Sequence, residues 1–172
     1  MELWDAYRKD GTITGETLVR DEPVPDGLYH LVCEVLVRLR DGSFLAMRRD
    51  RNKSGFPGWW ETTAGGSALK GEDRWQCVRR EMKEETGLDG KKFIPIGCRT
   101  TAEDHVIFHS FLCVLDCEKD TVTLQVGETE DYRWLSEQEF IEFVNSENMI
   151  PFQRRRMSNW LRGMGYLKGE EG

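Results

Sequence analysis

The stretch Arg80–Leu88, R-E-M-K-E-E-T-G-L, sets Glu81, Glu84 and Glu85 at helical spacing. Residues three and four apart on a helix are neighbours, so Glu81 crowds both other carboxylates, at roughly 0.2–0.5 kcal/mol per pair. The helix dipole adds a second penalty, because its negative end lies at the C-terminus, where Lys or Arg is favoured. A bound cation offsets both. Hard cations such as Mg²⁺ take oxygen ligands and often share them with substrate phosphates. Such ions neutralise phosphate oxygens, polarise phosphorus and lower the pKa of a bound water so that it attacks. The spacing therefore points to a site for a hard cation, beside which a phosphate could be held. The competing reading is a solvated charged helix.

The elements that must position this cluster are legible around it. Gly71–Thr86 carries the helix signal: at about 100° per residue, Trp75, Val78 and Met82 form one stripe and the three glutamates an adjacent arc. Gly87 supplies the left-handed residue that ends such helices, and Leu88 can fold back on the last turn. Upstream, the alternation of Leu3–Tyr7 and the turn signal Asp10-Gly11 predict an N-terminal hairpin within about residues 1–27. Leu28–Leu39 is a long β-rich run closed by Asp41-Gly42, with Ser43–Arg48 as its antiparallel partner. Trp60–Ala64 reads as a short extended piece broken by Gly65 and Gly66. Lys92–Thr101, His105–Leu115 and Tyr132–Leu135 read as strands. Ser136 caps a helix over Glu137–Asn145 and Pro151 begins another through Leu161, placing C-terminal helices at about 136–163. Strands and helices mix without regular βαβ alternation, which predicts one compact domain over 1–172 with a mixed sheet and helices packed on it.

Composition narrows the partners. The 172 residues are 38 % hydrophobic and 32 % charged with a net charge of −7, a balance that argues against a nucleic acid polymer, which needs clustered positive charge. No apolar run approaches the length of a membrane span, and the N-terminus lacks the basic flank and apolar stretch of a signal peptide. Five cysteines, an odd number without a C-x-x-C pair, include Cys33 and Cys113 inside apolar runs. Buried free thiols in a reducing cytosol are the reading, so a cytoplasmic protein is expected. His30, His105 and His109 sit on strands without metal spacing and read as structural. Arg154–Arg156 reads as a solvated helix face. Phe56, Trp59 and Trp60 read as packing, with stacking on a base or covering an isoprenoid as the alternative.

Read outward, Gly66 is followed by Glu72, Arg80-Glu81, Met82, Glu84-Glu85, Gly87 and Leu88. This resembles the Nudix box, G-x5-E-x7-R-E-U-x-E-E-x-G-U with U apolar, at every specified position. The resemblance implies an α/β fold, a Nudix-type α/β/α sandwich with a central mixed β-sheet and an N-terminal β-hairpin. It also implies roles. Glu84 and Glu85 would be the main metal ligands, and Glu81 a further ligand or proton acceptor. Arg80 would orient a glutamate, Glu72 with Gly87 would support the loop-helix, and the Gly66 carbonyl could complete the metal shell. Mg²⁺ is the implied cofactor, with Mn²⁺ able to substitute. A later-loop carboxylate often joins as ligand or general base; Glu128 is the candidate and Glu130 the second choice, with Glu61 and Glu103 weaker.

The stretch Met47–Trp60, M-R-R-D-R-N-K-S-G-F-P-G-W-W, is similar to R-R-x3-K-x2-W-P-G-x-W of type 1 isopentenyl diphosphate isomerases, which share the Nudix fold. That likeness implies that Arg49 and Lys53, with Arg51 between them, contact substrate phosphate. The isomerase C-G-H segment, however, is matched by Ala64-Gly65-Gly66, which lacks the reacting thiol, and Val106–Leu115 holds no acidic residue. The expectation is therefore a hydrolase of the isomerase-like branch. It would cleave the diphosphate of a nucleoside diphosphate linked to another moiety, or a related organic diphosphate. The alternatives are an isopentenyl diphosphate isomerase and a non-catalytic nucleotide-sensing module. A homodimer is the default assembly.

Overall fold

The computed structural model describes residues 1–169; the last three residues of the expected 1–172 domain lie outside the described residues. Strands β1 (Leu3–Tyr7) and β2 (Ile13–Val19) form the N-terminal antiparallel hairpin. A seven-stranded sheet follows, built on β3 (His30–Leu39). One edge of β3 pairs in parallel with β8 (Val106–Leu115), which pairs antiparallel with β7 (Ile94–Thr101). Its other edge pairs antiparallel with β6 (Thr63–Ser67) and, at Arg38, with β4 (Phe44–Arg49). Strand β4 carries β5 (Trp60–Glu61) and β9 (Thr129–Leu135).

Helix α1 (Arg74–Thr86) covers one sheet face, where Val78 and Met82 bury against Val35, Phe93 and Phe111. Helices α2 (Glu137–Val144), α3 (Pro151–Arg156) and α4 (Ser158–Gly163) cover the other, where Phe140, Met157 and Leu161 pack on Leu36 and Phe44. The result is an α/β/α sandwich with a central mixed sheet, as expected. Apolar residues on both faces explain why β3 reads as a nearly continuous hydrophobic run rather than an alternating one.

Four details differ from the sequence reading. Helix α1 begins at Arg74 rather than Gly71: Gly71 has φ +87°, outside the helical region, and Asp73 caps the helix by accepting the N–H groups of Trp75 and Gln76. Gly65 and Gly66 do not break the extended piece but continue it as β6, because they permit close packing. A Cβ on Gly65 would stand 2.1 Å from the Cys33 carbonyl oxygen. The last predicted helix divides at Met157. Trp75 is 37 % exposed, its ring lying between Phe111 and the Arg74 guanidinium rather than inside the stripe. Gly87 ends α1 at φ +72° with Leu88 buried, as the turn chemistry predicts. All five cysteines are free. Among the described residues, no helix is long and apolar enough to cross a membrane.

Candidate active site

Arg80 organises the acidic end of α1. Its guanidinium donates to Glu72 at 2.7 and 2.9 Å, to Glu81 at 2.7 Å, to Glu84 at 3.0 Å and to the Ser67 carbonyl at 3.0 Å. Glu72 also accepts the Leu69 N–H at 2.9 Å, which ties the loop before α1 to the helix. Burial pushes the Glu72 carboxyl up, yet the Arg80 and Leu69 hydrogen bonds together outweigh it and leave the group below its ordinary value.

The remaining carboxylates are less well matched. Burial raises Glu81 above the usual carboxylate range despite its bond to Arg80. Glu85 accepts the Gly65 N–H at 3.1 Å, and burial, with Glu61 and Glu81 nearby, holds it well above that range. Glu84 is the open one, its side chain 46 % exposed. One guanidinium thus serves three glutamates while a fourth stands beside them. This excess of hard oxygen donors fits a divalent cation. Gly66 fits as well: a Cβ there would lie 2.7 Å from the Glu81 carboxylate, so glycine lets strand and carboxylate approach. Among the described residues, no three Asp, Glu, His or Cys side chains already converge closely enough to hold an ion. Arg80 draws Glu81 and Glu84 toward itself, and closing on a cation requires those side chains to turn.

Glu81, Glu84, Glu85, Gly66, Glu128 and Lys53 line one cleft of about 400 Å³. Lys53 is ion-paired with Glu128. Arg49 is turned to Glu61, donating at 3.0 Å, and to the Gly55 carbonyl at 2.9 Å. Arg51 is 74 % exposed, pairs with Glu130 at 3.0 Å and lines neither this cleft nor the next. Glu130 is held by Arg48 and Arg51. Glu128 therefore stands in the cleft and Glu130 outside it.

A second cleft of about 350 Å³ shares Lys53, Gly65, Glu85 and Glu128 with the first. It contains Glu61, ranked low from sequence, and Glu34, not singled out at all. Glu61 is buried on β5; burial raises its carboxyl, and Arg49 and Gln153 partly counter this. Glu34 accepts Arg156 at 2.9 and 2.7 Å and the Ser110 hydroxyl at 2.6 Å. Arg156 is thus not part of a solvated face: its side chain is 9 % exposed, because α3 turns it inward onto β3. A lone glutamate inside L-V-C-E-V-L-V was the available signal, since a carboxylate in a doubly covered strand needs a buried partner. Its partner, 122 residues away, left no local trace.

Comparison with known proteins shows the family and the fold. The NUDIX domain model matches residues 28–161, and the chain belongs to the Nudix family. It is 33 % identical over 156 residues to an uncharacterized Nudix hydrolase of Listeria monocytogenes, covering 88 % of this chain and 90 % of that protein. It is 30 % identical over 88 residues to an isopentenyl-diphosphate Delta-isomerase of Corynebacterium diphtheriae, covering 51 % of this chain and 48 % of that protein. The crystal structure of DR0079 from Deinococcus radiodurans matches with a TM-score of 0.66 at 18 % identity, over 83 % of this chain and 88 % of that one, a likeness of fold. The expected enzyme class, a Nudix pyrophosphohydrolase, stands.

Proposed function

We propose that this chain is a Mg²⁺-dependent hydrolase, with Mn²⁺ able to substitute. It cleaves the diphosphate bond of a nucleoside diphosphate linked to another moiety, or of a related organic diphosphate. The observation that carries the reading is the carboxylate excess around Arg80, in a cleft that also holds Glu128 and Lys53. Glu84 and Glu85 would hold the cation, with Glu81 as a further ligand and the Gly66 carbonyl completing the set. A divalent cation there supplies positive charge against the diphosphate oxygens and makes water more acidic.

The chain's own residues do the rest. Arg80, fixed by Glu72, keeps Glu81 and Glu84 on one side of the helix. Lys53 offers the phosphates a positive partner, and in taking it they release Glu128. Freed from its ion pair, Glu128 accepts a proton from the attacking water, with Glu81 as the alternative acceptor. Arg49 contacts the phosphates from its station on Glu61. Ala64, buried on β6 at the position of the isomerase cysteine, has no group to exchange protons with carbon.

The test is a screen for phosphate and nucleotide release over a panel of organic diphosphates with Mg²⁺ or Mn²⁺, run beside Glu84→Gln. Hydrolysis by the wild type and its loss in the variant are the expected results. Full activity in Glu84→Gln would contradict the ligand assignment. A wild type inert across a broad panel would contradict hydrolysis itself.

A further inference from the structure

The second cleft continues away from the carboxylates to a floor that diphosphate chemistry does not use. Arg156 lies there with its guanidinium carbon 4.2 Å from the centre of the Phe108 ring and 5.1 Å from that of Phe152. Two of its nitrogens, Nε and Nη2, are spent on Glu34. Among the described residues no acceptor meets the third, Nη1, and that atom is not fully buried. The side chain is otherwise buried, and it lines the same cleft as Phe56 and Phe152.

The aromatic wall is held at a cost. Phe56 has φ +49°, a left-handed conformation that a phenylalanine rarely adopts, and such a residue costs on the order of 1–3 kcal/mol when the surroundings impose it. Arg49 grips the neighbouring Gly55 carbonyl at 2.9 Å. The Phe56 ring lies 5.5 Å from that of Phe152, with the planes at 69°. Phe152 is 41 % exposed and so presents ring surface toward solvent.

Charge decides what fits. Glu34 already cancels Arg156, and in the same cleft Arg49 pairs with Glu61 and Lys53 with Glu128, leaving Glu85 without a basic partner. An anion at Arg156 would find that charge already met by Glu34, whereas a neutral acceptor such as a ring nitrogen or carbonyl gains a charge-assisted hydrogen bond. A purely aliphatic group would cover the open guanidinium donor without satisfying it.

We infer that Arg156, Phe56 and Phe152 form a specificity pocket for a planar, neutral, hydrogen-bond-accepting ring carried by the diphosphate, in the manner of a nucleobase, and that the pocket rejects prenyl chains. This deepens the hydrolase reading and rests on it for where the phosphates lie.

Calorimetric binding of the four ribonucleoside 5′-monophosphates, ribose 5-phosphate and dimethylallyl monophosphate tests it without turnover. From the usual worth of one ring contact and one hydrogen bond, the wild type should bind at least one nucleotide about tenfold more tightly than ribose 5-phosphate. Arg156→Lys keeps a charge for Glu34 and loses the planar fork; Phe152→Leu keeps the ion pair and loses the ring. Each should bring the nucleotide toward ribose 5-phosphate while leaving the latter's affinity nearly unchanged. Equal wild-type binding of nucleotide and ribose phosphate overturns the pocket. So does a nucleotide preference retained in both variants, or tighter binding of dimethylallyl monophosphate. A chain that prefers the nucleotide yet hydrolyses no diphosphate keeps the pocket and overturns only the hydrolase reading.

Discussion

Arg80 and Arg156 each hold one glutamate with two nitrogens, Glu72 and Glu34, but the two clusters differ in charge balance. Arg156 meets one glutamate, and the pair lies between β3 and α3 with side chains 9 % and 5 % exposed. Arg80 spreads one charge over Glu72, Glu81 and Glu84, with Glu85 beside them. A matched, buried pair has no further demand for charge, so its spare donor can read the shape and polarity of a ligand. On the proposed reading, the unmatched set is the one that takes a cation. The count of opposing charges, rather than the number of acidic residues, separates a fixed ion pair from a place where an ion binds.

Breaking the matched pair should have the largest effect. Arg156→Met strands the Glu34 charge, and chemical denaturation should report a loss of about 3–5 kcal/mol. Adding Glu34→Gln should recover most of it, because both charges then leave together. In the unmatched cluster the balance of effects reverses. Glu84→Gln removes an exposed carboxylate from a crowded set, so folding stability should hold. Its kcat/KM should fall at least about 100-fold, equivalent to about 2.7 kcal/mol of transition-state stabilisation.

The pH dependence sharpens the contrast further. Burial, with Glu61 and Glu81 nearby, raises the folded-state pKa of Glu85, so the native state holds that proton to higher pH than the unfolded chain does. The unfolded state then binds fewer protons through this window, and stability falls as pH rises from the ordinary carboxylate value toward the raised one. Glu85→Gln removes that fall. In metal-free buffer its melting temperature should match the wild type near pH 4 and exceed it at pH 7. A wild type that stays more stable than the variant at pH 7 would contradict the charge excess. The smallest effect belongs to the scaffold: Asp73→Ala removes the α1 cap and should cost about 1 kcal/mol of stability. Its kcat should stay close to the wild-type value, since Asp73 touches none of the four glutamates.

Much of the carboxylate cluster was legible because a helix is a local object. Spacing alone puts Glu81, Glu84 and Glu85 on one arc, and Gly87 with Leu88 marks where it ends. The strand glycines were harder. Gly65 and Gly66 are helix and strand breakers by local propensity, yet the Cys33 backbone leaves no room for a Cβ at Gly65, and a Cβ at Gly66 would displace the Glu81 carboxylate. Arg156 was misread because three consecutive arginines resemble a solvated face, while the carboxylate that buries one of them sits at the far end of the chain. Glu61 was undervalued for a related reason: its neighbours Arg49, Gln153 and Glu85 come from three separate elements. Local chemistry could be read in sequence, whereas pairings across the sheet could not.

The central claim is that Glu81, Glu84 and Glu85 form a cation-demanding set while the other Arg–Glu pairs do not. Calorimetric Mn²⁺ titration of the wild type, Glu85→Gln and Glu130→Gln tests it most directly. Wild type and Glu130→Gln should bind alike, and Glu85→Gln should bind at least about tenfold more weakly. Equal affinity in Glu85→Gln, or no binding by the wild type, would contradict the account.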